Sequence, residues 1–180
     1  MANRQALREL QTRLAERLQA ARTQTSLGAS WLAVQVGDNN YLLPLEQAGE
    51  IFSWSGVLRV PYTNTWFLGV ANLRGSLSGV VDLSAYLGHP VERTEQSLHE
   101  VSLLTINPAL QVNVALVVDR LLGLRGADDF ISAPLEPTQG VREGRQDMVG
   151  DSYTDSAGDV WRVLHLHQLV QSPEFLSIRT

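Results

Sequence analysis

Apolar residues recur along this chain with two different periods, and the change between them falls near residue 30. Over residues 3–22, "NRQALRELQTRLAERLQAAR", Leu7, Leu10, Leu14, Leu18 and Ala21 stand at three- and four-residue steps, the spacing that stacks side chains on one face of a helix. The segment predicts an amphipathic N-terminal helix over 1–22, either docked on its own domain or offered to a partner. Leu7, Leu10 and Leu14 also fit a short heptad seam, although a coiled coil sustains such a seam over several heptads. Residues 23–30, "TQTSLGAS", read as a polar linker.

From Trp31 the period becomes two. "WLAVQV" puts Leu32, Val34 and Val36 on one face, "GDNN" supplies a turn and "YLLPL" runs back, which predicts a β-hairpin. Pro44 has no N–H to give to a ladder and marks a sheet edge or a strand end. Two further apolar runs flank Arg74 in "GVANLRGSLSGVVDLSAYLG" (69–88). They lead into one helical turn with Ser84 as candidate cap and Gly88 and Pro90 as its stop. "VSLLTI" and "QVNVALVVD" predict another hairpin, with Val112, Val114, Leu116 and Val118 on one face.

Later in the chain, "VWRVLHLHQLV" (160–170) repeats the strand-then-helix order of "GVVDLSAYLG", and the intervening "APLEPTQGVREGRQD" reads as a long polar loop. Two copies of one small β unit are therefore expected, over roughly 31–90 and 100–172, with a C-terminal tail at 173–180. Short strands separated by turn residues at this spacing suggest barrels or a sandwich. A groove between two packed lobes is then the expected place for a ligand or partner.

Composition narrows the function. The 180 residues are 44% hydrophobic and 18% charged, as in one globular domain able to bury a core. Residues 1–22 hold five arginines and two glutamates, a local +3, so the total of −5 leaves −8 on everything that follows. An acidic body argues against nucleic acid, whose phosphates need a cationic face. The absence of cysteine removes disulfides and thiolate chemistry and agrees with a reducing compartment. There is no apolar leader and no apolar run of spanning length, so the expectation is a soluble cytoplasmic protein without membrane insertion.

The sequence carries few marks of catalytic chemistry. "GSLSG" misses the G-x-S-x-G elbow because its centre is Leu77. Phosphate-binding glycine loops do not occur, and the chain has no lysine for a Schiff base or a lysine base. His165 and His167 in "HLH" would share one face of a strand but have no third ligand nearby in sequence. No catalytic residue, metal or cofactor is expected. What remains are aromatic groups near turns, Trp54, Tyr62, Trp66 and Phe67, of the kind that anchor protein interfaces. Phe67 is expected in the core. A small-molecule-binding or hydrolytic β-barrel is the alternative class.

Three motifs carry a resemblance. "YLLPLEQAGEI", "FLGVANLRGSLSGVVDLSAYLG" and "VALVVDRLLGL" stand in the order and at the distances of the CheW-like family of chemotaxis adaptor domains, over about Trp31 to Val170. The resemblance implies a mainly β fold of two small five-stranded SH3-like barrels side by side, with the amphipathic N-terminal helix outside the common domain. It also implies an adaptor with two partners, the cytoplasmic tip of a methyl-accepting chemoreceptor and the regulatory domain of a CheA-like histidine kinase. Within the family the chain looks closest to the adaptor of the type IV pilus (twitching) system, with a flagellar coupling protein as the alternative.

Carried over by position, Arg74 is the family arginine implicated in signalling geometry, Glu50 its acidic partner, and Gly69 a glycine of the receptor-facing strand. Asn72 and Gly75 complete the N-L-R-G motif. Val101 and Leu124, apolar positions assigned to the second lobe, stand where receptor contacts are found. Ser78 and Gly79 occupy a place where many members have proline. Physically, an arginine at a tight turn can form a charge-assisted pair with a carboxylate, and such a pair matters most where it is desolvated. Arg74 then either holds two turns together or touches a partner.

Overall fold

The computed structural model describes residues 29–131 and 146–180. The expected N-terminal helix, almost all of the linker and most of the polar loop lie outside the described residues. In chain order the strands are β1 (Ala29–Val36), β2 (Asn39–Pro44), β3 (Ala48–Ser53), β4 (Phe67–Leu73), β5 (Ser76–Asp82), β6 (Ser102–Ile106), β7 (Val114–Val118), β8 (Arg120–Gly126), β9 (Val149–Thr154) and β10 (Val160–Leu164). Short helices are α1 (Leu83–Leu87), α2 (Glu95–Leu98), α3 (Leu166–Gln171) and α4 (Pro173–Leu176).

Two five-stranded sheets result, ordered β8-β1-β2-β10-β9 and β3-β6-β7-β5-β4. They are built alike. Each has an antiparallel hairpin (β1–β2 or β6–β7) and a strand parallel to its second arm (β10 or β5). That parallel strand runs into a short helix in both copies, β5 into α1 and β10 into α3, as the internal similarity predicts. The lobes do not follow the expected halves 31–90 and 100–172, however. β1–β2 joins β8–β10, and β6–β7 joins β3–β5, so each half lends its first hairpin to the sheet of the other. Alternation of apolar residues assigns faces but not pairing partners, which is why the exchange is invisible to it.

The period-two faces explain the core. Leu32, Val34 and Val36 of β1 join Leu116 and Val118 of β7 in one cluster with Leu83, Leu87, Leu166 and Leu169 of the helices. The alternate residues turn the other way: Ala33, Leu42 and Trp161 fill the first sheet, and Ala71, Leu103 and Val117 the second. Both apolar faces read from the sequence thus point into the junction between the lobes. The groove expected there is filled by core. Pro44 is the last residue of β2, opposite Trp31.

Two local expectations change. The cap of α1 is Asp82, whose Oδ1 accepts the N–H groups of Ser84 and Ala85 at 3.0 and 3.3 Å; Ser84 already lies inside the helix. Residues 173–180 are also no loose tail. Phe175 is buried, stacked on Trp66 at 5.9 Å and edge-on to Tyr86 at 5.2 Å. Phe67 is buried as expected, Trp54 is half-buried and Tyr62 is exposed.

Beyond α4, the chain end lies along residues 62–64. The Asn64 N–H donates to the Ile178 carbonyl at 2.8 Å, the Thr180 N–H to the Tyr62 carbonyl at 3.3 Å, and Asn64 Nδ2 to the Arg179 carbonyl at 3.3 Å. Each net bond contributes about 0.5–1.5 kcal/mol. Deleting residues 178–180 is therefore expected to cost about 2 kcal/mol in a denaturant melt and to speed hydrogen exchange at the Asn64 amide.

Candidate functional site

β4 and β5 pair with Leu73 opposite Ser76, leaving Arg74 and Gly75 as a two-residue turn. Both have positive φ, 50° and 84°, as a type I′ hairpin turn requires. Glycine adopts this freely, whereas an arginine there costs roughly 1–2 kcal/mol of backbone strain. Asn72 offsets part of it, its Oδ1 accepting the Gly75 N–H at 2.8 Å. A strained residue retained at a turn points to a use beyond the turn.

The guanidinium reaches across the lobe. Arg74 Nη1 donates to Glu50 Oε2 at 2.5 Å, and its guanidinium carbon stands 5.5 Å from the centroid of the Phe52 ring. Glu50 and Phe52 belong to β3, the edge opposite β4 in hydrogen-bond order. The sheet is therefore rolled up, and Arg74 spans the seam. Glu50 lies in a register irregularity between Ala48 and Ile51, the kind of bulge that re-aims a side chain, and its N–H donates to Thr105 Oγ1 at 2.7 Å.

The two side chains are 74% and 59% exposed, so the pair is not desolvated. An exposed ion pair contributes at most about 1 kcal/mol to folding. What the arrangement does is hold a fixed cation and carboxylate toward solvent. Ile51 and Leu77 beside it are 47% and 64% exposed. A concave region of about 520 Å³ adjoins the pair, lined by Phe52, Ser76, Thr105, Gln111 and Asn113. Charge fixed among exposed apolar groups is the composition of an interface anchor. Ser78, buried, donates to Asn113 Oδ1 at 2.9 Å, and β5 runs unbroken through Ser78 and Gly79.

The other expected residues lie elsewhere. Gly69 is buried at the far end of β4, with φ of 140° and the Leu58 carbonyl oxygen 2.1 Å from where a Cβ would stand. It admits residue 58 onto the β4 edge, where Leu58 and Val70 exchange backbone bonds of 2.8 and 2.9 Å, instead of facing a partner itself. Val101 is 4% exposed, in the cluster with Ala71 and Leu103. It therefore sits inside the lobe that carries Arg74 and offers no surface. Leu124, 44% exposed, lies on β8 of the other sheet. The structure thus gathers Glu50, Asn72, Arg74 and Gly75 and separates the rest.

The histidine pair is not on a strand: His165 precedes α3 and His167 lies within it, their ring centroids 5.7 Å apart. Burial, then the neighbouring His167, holds His165 below the usual imidazole range. Among the described residues no group of three metal-ligating side chains converges, and no helix is long and apolar enough to cross a membrane.

A charged cluster escapes the sequence reading. Arg93, its side chain 6% exposed, donates from Nη1 to Asp82 Oδ2 at 2.5 Å. It also holds Asp119 with a fork, Nε to Oδ1 at 3.0 Å and Nη2 to Oδ2 at 3.1 Å. Both aspartates close apolar runs, "GVVD" and "LVVD". A carboxylate ending a buried strand needs a partner, and that was the available signal; the partner's identity was not.

Comparison with known proteins agrees with this geometry. The CheW-like domain matches residues 30–174. Protein PilI of Pseudomonas aeruginosa is 28% identical over 153 residues, 83% of this chain and 80% of its own. The chemotaxis protein CheW of Rhizobium meliloti is 31% identical over 105 residues, 58% of this chain and 60% of its own. The crystal structure of the scaffolding protein TtCheW from Thermoanaerobacter tengcongensis superposes with a TM-score of 0.66 over 84% of this chain and 97% of that one, at 15% identity, which establishes the fold. With the rolled sheets, the three motifs and a match that spans both lobes, the chain belongs to the CheW-like domain family.

Proposed function

We propose that this protein is a cytoplasmic, non-enzymatic adaptor that couples the tip of a methyl-accepting chemoreceptor to the regulatory domain of a CheA-like histidine kinase in a type IV pilus chemosensory system. One observation carries the reading: Arg74 is held at a strained turn by Glu50, Asn72 and Phe52, yet stays 74% exposed. Strain maintained for an exposed cation stabilises no core and suits recognition. Support for the pilus setting is the breadth of the similarity to PilI, 83% of this chain. A flagellar setting is the second reading, favoured by the higher identity to the rhizobial CheW, 31%.

An Arg74→Ala variant tests the proposal by titration against purified receptor tip and kinase regulatory domain. At least one affinity is expected to fall roughly 30-fold, the loss of an interface anchor of about 2 kcal/mol. The melt should move by no more than about 4 °C, because the exposed pair contributes little to folding. Parent affinity for both partners would sink the role assigned to Arg74, and failure of the parent chain to bind either would sink the adaptor reading itself.

A further inference from the structure

The Arg93 cluster lies away from the Arg74 turn and joins the two lobes. Asp82 belongs to the second lobe, ending β5 and capping α1. Asp119 stands on the crossover from β7 to β8, where the chain passes from the second sheet to the first. Its N–H donates to the Gln35 carbonyl of β1 at 2.9 Å, and its Oδ2 accepts the Gly37 N–H of the β1–β2 turn at 2.6 Å. One planar guanidinium is thus fixed between a carboxylate anchored on each lobe, with Ser84 Oγ at 3.3 Å completing its shell.

Burial of the apolar core around this cluster holds the lobes together through a driving force that is by itself non-directional. Forked arginine–carboxylate bonds are directional. We infer that Arg93 is a positioning residue that sets the angle between the two barrels. The lobe carrying Glu50 and Arg74 and the lobe carrying Leu124 are thereby presented in one fixed relation. That last consequence for partners rests on the adaptor reading; the angle itself does not.

The test uses no partner, so its failure and that of the adaptor reading stay distinguishable. The chain has no cysteine, so Leu77→Cys on β5 and Val160→Cys on β10, both exposed, accept spin labels on the two sheets without further change. Distances between them are measured by pulsed electron resonance in the parent and in a neutral triple variant, Arg93→Met with Asp82→Asn and Asp119→Asn. Neutralising the whole cluster leaves no unpaired buried charge, and the two asparagines keep oxygens to accept the helix and turn N–H groups. The expected result is a cooperative melt with a wider or displaced distance distribution. A folded variant with the parent distribution would overturn the inference. Loss of the cooperative melt would overturn it as well, because the cluster would then be holding the fold instead of setting the angle.

Discussion

Replacing Arg93 alone by alanine is expected to destabilise the protein by about 3–5 kcal/mol, the cost of stranding buried charge. Asp82 and Asp119 are the groups left behind, with side chains 10% and 22% exposed. Each is tied by backbone bonds, Asp82 to the first turn of α1 and Asp119 to Gly37, so neither can swing out to water without giving up another bond. Against a total of roughly 5–15 kcal/mol for a domain, the loss should lower the melting temperature by about 6–20 °C and the denaturant midpoint without changing its slope. A loss under about 1 kcal/mol, the level of an exposed pair, would show that water already solvates the two carboxylates. Arg74, with the same side chain in a comparably short ion pair, is expected to fall at that lower level. Burial, not pairing distance, separates the two arginines.

Gly69→Val is expected to cost about 4 kcal/mol, combining backbone strain at a positive φ with overpacking. The φ of 140° is one that side-chain-bearing residues rarely adopt, and the Leu58 carbonyl oxygen lies 2.1 Å from the new Cβ. Relief requires lifting residue 58 off the β4 edge, which breaks its paired bonds with Val70 and exposes that edge. A thermal melt and hydrogen exchange at Leu58 and Val70 check it. Protection of both amides at parent levels in the variant would mean that the loop accommodates a side chain and that the glycine is not needed for the close approach.

The candidate site and the Arg93 cluster are written unevenly in the sequence. Arg74, Gly75 and Asn72 are adjacent in one hairpin, and the alternation on either side of them predicts strands, turn and cation together. Glu50 is reachable from the motif that contains it. Arg93 is not: it lies in a stretch without periodicity, 11 residues from Asp82 and 26 from Asp119. Its long side chain allows many partners, and only the folded chain selects two. Val101 misleads for the opposite reason. Its apolar character marks it equally for a core and for a docking face, and only the folded lobe, which packs it with Ala71 and Leu103, decides.

By itself the sequence determines what depends on neighbours along the chain: the period-two faces, the hairpins, the strand-to-helix order repeated in each half, and the motifs that place it in its family. The tertiary structure decides what depends on neighbours in space. It exchanges the hairpins between the halves, fills the expected groove with the faces of β1 and β7, rolls the second sheet so that Arg74 meets Glu50, and brings one arginine to the last residues of two apolar runs. The physical reason is that alternation specifies which side of a strand is buried, whereas partner and register emerge only when all the strands bury those sides together.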